Sequence, residues 1–89
     1  MNDVQRSRLT ATRTQLDAID ERLLSVLAER AKVVDELWAW KRSEGLPLTD
    51  PTREAEHVEQ LVARAKTLGL EEQAIRAVLA TIVGKSLAT

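Results

Sequence analysis

The sequence predicts an all-α protein of three helices per chain, one long and two shorter, and three observations carry that expectation. Neither Gly nor Pro occurs between Met1 and Gly45. Gly45-Leu46-Pro47 and Gly69 then divide the remainder into two segments of helical length. No stretch shows the strict alternation of apolar and polar residues that a half-buried strand requires, and no repeat or low-complexity segment interrupts the pattern.

Ala, Leu, Arg, Glu and Val fill the first segment, so the simplest reading is one helix over about residues 7–43. At about 1.5 Å per residue such a helix spans roughly 55 Å, about twice what a compact domain of this size can wrap. Asp50 followed by Pro51 supplies an N-cap and a first-turn proline for a second helix, about residues 51–68, and Gly69 suits its left-handed stop. A third helix is expected over about residues 71–87, with Ile75, Val78, Leu79, Ile82 and Val83 on one face. The three helices form one domain, residues 1–89. Helices two and three are too short to cover the long one, so its remaining apolar surface predicts association with a second copy.

Composition narrows the function. Thirteen Lys and Arg against 14 Asp and Glu leave a net charge of −1, which provides no whole-protein field for nucleic acid or an anionic membrane. The absence of cysteine excludes disulfide and thiolate chemistry, and one histidine, His57, argues against a metal site and reads as a surface residue. The polar first residues do not resemble a signal peptide, and no apolar run is long enough to span a bilayer, so a cytoplasmic location is expected.

Charges stand where apolar residues belong. In steps of seven, one row of the long helix runs Leu9, Leu16, Leu23, Arg30, Leu37, and a neighbouring row runs Arg13, Asp20, Leu27, Val34, Lys41. Arg30 and Lys41 are 11 residues apart and project from one face, roughly 16 Å apart along the axis. Arg13 lies about 100° around the helix from Arg30, so one copy cannot easily aim both at one small ligand, whereas a neighbouring copy could. Buried cations need carboxylate partners or an anionic ligand. Ordinary surface pairing with Asp20, Glu29 or Glu36 would satisfy Arg30 and Lys41, and so would an anion. Asp50, Arg53 and Glu54 cluster near the turn, and Ser86 takes a place where the third helix's row would have an aliphatic residue.

The order Arg13-x-x-Leu16-Asp17-x-Ile19-Asp20-x-x-Leu23-Leu24-x-x-Leu27-x-x-Arg30, then Lys41, Asp50-x-x-Arg53-Glu54 and Ser86, resembles the all-helical, type II chorismate mutases from Leu9 to Leu87. The resemblance implies an intertwined homodimer with two equivalent active sites and no cofactor or metal, rearranging chorismate to prephenate in Phe and Tyr biosynthesis. It implies that Arg30 of one chain and Arg13 of the other bind the substrate's two carboxylates. Lys41 would contact a carboxylate and the ether oxygen, and Glu54, with the backbone near Asp50, would hold the ring hydroxyl. Arg53 and Ser86 would complete the carboxylate contacts. Lys41, Arg30 and Glu54 are thus the expected catalytic residues.

Members of the family usually place a second ether-oxygen donor, Gln or Glu, four residues after the serine, which here would be position 90, one beyond Thr89. Either the group is absent and the enzyme is of low activity, or a rearranged C-terminus or a neighbouring protein supplies the interaction, as in members of the family that are weak alone and activated by docking on the synthase that opens the shikimate pathway. Both readings stay open. Lys85 reads as a solvated residue near the last helix's dipole, and Trp38 and Trp40 as packing residues close enough to Lys41 to line a pocket. Two other functions use the same scaffold. An isochorismate-pyruvate lyase or a mutase of amino analogues would keep the cation set, whereas a non-catalytic regulatory or dimerisation module would lose Lys41 and Glu54.

Overall fold

In the computed structural model, which describes residues 1–83, the chain forms three helices: α1 Asp3–Ser43, α2 Pro51–Thr67 and α3 Glu72–Ile82. No strand occurs among the described residues, so the chain is all-α. The first helix begins four residues earlier than expected because Asn2 and Gln5 form a reciprocal capping pair. The Asn2 Oδ1 accepts from the Gln5 N–H at 2.8 Å, and the Asn2 N–H donates to the Gln5 Oε1 at 2.9 Å. Asp50 caps α2, its Oδ1 accepting from the Arg53 N–H at 3.1 Å, with Pro51 in the first turn. Glu71 caps α3 rather than joining it, accepting from the Gln73 and Ala74 N–H groups at 3.0 and 2.7 Å.

Both inter-helix turns use the same device. Gly45 (φ 70°) ends α1, donating to the Arg42 carbonyl at 3.3 Å while the Leu46 N–H donates to that of Lys41 at 2.8 Å. Gly69 (φ 79°) follows α2, donating to Lys66 at 3.1 Å while Leu70 donates to Ala65 at 3.0 Å. These are two Schellman closures, each with glycine in the left-handed conformation that other residues rarely adopt. The described part of helix α3 ends at Ile82, with Val83 extended beyond it, and residues 84–87 of the expected helix lie outside the described residues.

The contacts gather into two compact units, Met1–Arg30 and Ala31–Thr89. Within the second, α2 packs on α3, and Ala31, Val62 and Ala65 are buried. Val58, Leu61, Val62 and Ala65 place one face of α2 inward, and Ile75, Leu79 and Ile82 do so for α3. Val78, expected on that inner face, is half exposed. An ionic clasp joins the two helices at the surface: Arg76 holds Glu59 through both oxygens, at 2.9 and 3.1 Å, and reaches Glu72 at 3.2 Å, which also meets Lys66 at 3.1 Å.

The first unit is a run of helix in which no residue is buried. Leu16, Ile19, Leu23, Leu24 and Val26 are all exposed, Leu24 by 61%. On α1 in the second unit Val33, Leu37 and Trp40 are exposed too. Leu16, Ile19, Leu23 and Val26, and again Val33, Leu37 and Trp40, are separated by alternating steps of three and four, the spacing of a helix seam that faces another helix.

Candidate active site

The site is built from the turn between α1 and α2 outward. Lys41 stands in the last turn of α1 and is half-buried, its stem packed while its ammonium reaches the return loop. The Nζ donates to the Leu48 main-chain carbonyl at 3.5 Å. Lys41 forms no ion pair among the described residues, so the ordinary pairing with Asp20, Glu29 or Glu36 is not its arrangement here. Arg30 is half-buried and engaged with a partner in the fold.

Two residues downstream of Leu48, the Asp50 cap fixes the first turn of α2. The Asp50 carboxylate is occupied by the Arg53 N–H, and the Glu54 N–H donates to the Asp50 carbonyl at 2.9 Å. One residue therefore ties down the backbone that carries both Arg53 and Glu54. The Arg53 side chain is exposed, whereas Glu54 is half-buried and lines a groove between α2 and α3 with Val58, Leu79 and Val83. Glu59 lines the same groove, so two carboxylates stand among its apolar side chains, and no lysine or arginine among the described residues lines it. Lys41, Asp50, Arg53 and Glu54 all belong to the Ala31–Thr89 unit. Arg13 and Arg30 belong to Met1–Arg30, in which Arg13 is exposed. Ser86 and Lys85 lie outside the described residues.

Residues 12–89 match the family described as "Chorismate mutase type II". The chain belongs to that family. A curated relative, the T-protein of Enterobacter agglomerans, is 36% identical over 80 residues, covering 90% of this chain. The mutase-family chain spans 21% of that relative's length. No solved structure matches it.

Two features of this type II chain lay outside the sequence reading, and a third corrects it. The Leu48 carbonyl could not be found because a main-chain acceptor leaves no residue signature. The Arg76 clasp left only the i,i+4 spacing of Glu72 and Arg76, which many surface helices show. His57, expected at the surface, is half-buried beside Val58 and Leu61 on the inner face of α2. Trp38 is half-buried whereas Trp40 is 55% exposed, so only the first has the burial of a packing residue within the chain. No group of three His, Asp or Glu side chains among the described residues could hold a metal ion, and no described helix is long and apolar enough to cross a membrane.

Proposed function

We propose that the chain catalyses the Claisen rearrangement of chorismate to prephenate, in the cytoplasm, as an intertwined homodimer serving Phe and Tyr biosynthesis. The observation that carries this reading is Lys41, a half-buried ammonium without a carboxylate partner, standing at its family spacing in a chain that matches the type II mutases over residues 12–89. The reaction breaks one C–O bond and forms one C–C bond in a single concerted step, so no nucleophile or general base is required. It needs a compact conformer held by its two carboxylates, and positive charge beside an ether oxygen that grows more negative toward the transition state.

The side chains suit those needs. Arginine's planar fork grips a carboxylate bidentately, which fits Arg30 and Arg53 of one chain and Arg13 of the other. Lysine is a point charge and fits the ether oxygen, while Glu54, with the backbone at Asp50, accepts from the ring hydroxyl and Ser86 completes the carboxylate contacts. Supply of Arg13 by a second copy is supported by its exposure and by the exposed Leu16, Ile19 and Leu23 on the same helix. A seam of that kind is stabilised by covering it with its own copy.

The test is turnover of chorismate by the purified protein, with prephenate identified by mass, alone and with the first shikimate-pathway synthase added. Lys41→Ala should keep its circular dichroism and lose on the order of 100-fold or more in kcat, the scale of one lost electrostatic donor. Mixing Arg13→Ala with Lys41→Ala should restore activity, because half the dimers formed are mixed and each has one intact site of two, about a quarter of the wild-type sites. Full activity in Lys41→Ala would refute the mechanism. Release of pyruvate from isochorismate, with chorismate untouched, would move the chain to lyase chemistry.

A further inference from the structure

We propose that the main-chain carbonyl of Leu48 is a positioning group for Lys41, orienting its ammonium toward the reacting ether oxygen without neutralising it. This rests on the reading that Lys41 acts on that oxygen. The return loop grips Lys41 at both ends. At the main chain, the Leu46 N–H donates to the Lys41 carbonyl at 2.8 Å, a bond made possible by the left-handed Gly45. At the side chain, the Leu48 carbonyl accepts from Lys41 Nζ at 3.5 Å, and both residues are half-buried. Pro47 fixes the backbone torsion between these contacts, and the Asp50 cap anchors the loop to α2. The loop that reverses the chain is therefore also a jig for one side chain.

The chemistry explains why a carbonyl suits the task better than a carboxylate. A lysine ammonium has three N–H donors and a flexible four-carbon stem. One donor held by Leu48 fixes the stem and leaves two for the substrate, matching one carboxylate oxygen and the ether oxygen. A carboxylate partner would orient Lys41 equally well, but it would offset the positive charge that stabilises the transition state and repel a dianionic substrate. A neutral acceptor avoids both penalties. The 3.5 Å separation is long for a resting contact, as hydrogen bonds at unliganded active sites often are before substrate tightens them.

The experiment is total chemical synthesis of the full chain with Thr49 replaced by its α-hydroxy acid, which turns the Leu48–Thr49 amide into an ester with a weaker carbonyl acceptor. Chorismate turnover gives kcat and KM, and exchange of the Lys41 Nζ protons, followed by NMR in unliganded protein, reads the contact directly. The ester should lower kcat about five- to tenfold while KM moves less than about twofold, and the ammonium protons should exchange faster. In the Lys41→Ala background the ester should have no further effect, a coupling that a merely structural loop would not produce. Unchanged kcat in the ester, with Lys41→Ala inactive, would overturn the positioning role alone. So would an equal loss in both backgrounds. Full activity in Lys41→Ala would instead remove the functional reading, and the proposal with it.

Discussion

The two units of this chain are made of similar residues and are held in different ways. Ala31–Thr89 contains the three residues buried among those described, Ala31, Val62 and Ala65, together with both glycine closures, two N-caps and the Arg76 clasp. Met1–Arg30 has one capping pair and no buried residue. Most helical stability in proteins comes from packing an apolar face rather than from intrinsic propensity. The second unit therefore carries stabilising contacts of its own, whereas the first leaves Leu16, Ile19 and Leu23 exposed. Arg13, which the proposed dimer assigns to the neighbouring copy's substrate, sits in the first unit. In that proposed dimer, substrate binding and the order of the first helix would be coupled.

The largest effect should come from breaking the exposed seam. Leu23, 55% exposed, would be covered in a dimer, and Leu23→Asp forfeits about 2 kcal/mol of transfer energy per copy. Since each symmetric pair carries the change twice, association should weaken by about 4 kcal/mol, or roughly a thousandfold. Sedimentation should show a monomer at micromolar concentration, circular dichroism should show lost helix, and turnover should fall with both. A variant of unchanged size and activity would mean that the first unit is stabilised in some other way.

Val62→Ala sharpens the comparison from the opposite side. Val62 is 4% exposed on the inner face of α2, so the truncation should cost about 2 kcal/mol in thermal unfolding. Because Val62 belongs to the self-packed unit, the association constant at 25 °C should hardly change. A shift in dimer affinity as large as the shift in stability would show that the two units are not separable in this way.

The legible parts of the sequence were those written in local chemistry. Asp50-Pro51 and Gly69 marked real helix ends because a cap and a left-handed glycine act within four residues. The Asn2–Gln5 pair carried the same kind of signal, polar residues three apart, and its effect was to start α1 at Asp3. What a single sequence could not encode was any contact through the main chain or across helices. Lys41 could be singled out as a cation on an apolar row, but its acceptor is a carbonyl that every residue possesses. Arg76 and Glu59 are 17 residues apart, and nothing local distinguishes that pair from other surface charges. Arg13 was placed on a different face from Arg30 by helical geometry alone, and its assignment to a second copy is the part that the Arg13→Ala and Lys41→Ala mixture tests.

The smallest effect concerns acid. Glu59 is held below the ordinary carboxylate value of 4.5 chiefly by its hydrogen bonds from Arg76, and Glu72 by those from Lys66 and then Arg76. Glu71 is lowered by the N–H groups of Gln73 and Ala74 that it caps. A carboxyl whose folded value lies below its unfolded one favours the fold in full above the unfolded value, and that contribution is lost as pH falls through the folded one. The α2–α3 pair should therefore lose melting temperature as pH drops below about 4.5, with no matching loss between pH 6 and 8. Glu59→Gln and Glu72→Gln should each flatten that acid slope, and added salt should flatten it further because the clasp is exposed and screened. The lowered carboxyls Glu59, Glu71 and Glu72 all lie in Ala31–Thr89, so the uncharged change Leu23→Asn, which adds no titrating group, should shift the whole melting curve without changing the acid slope. If Leu23→Asn altered that slope as strongly as Glu59→Gln did, the acid response would belong to association, and the α2–α3 clasp would have no separate part in it.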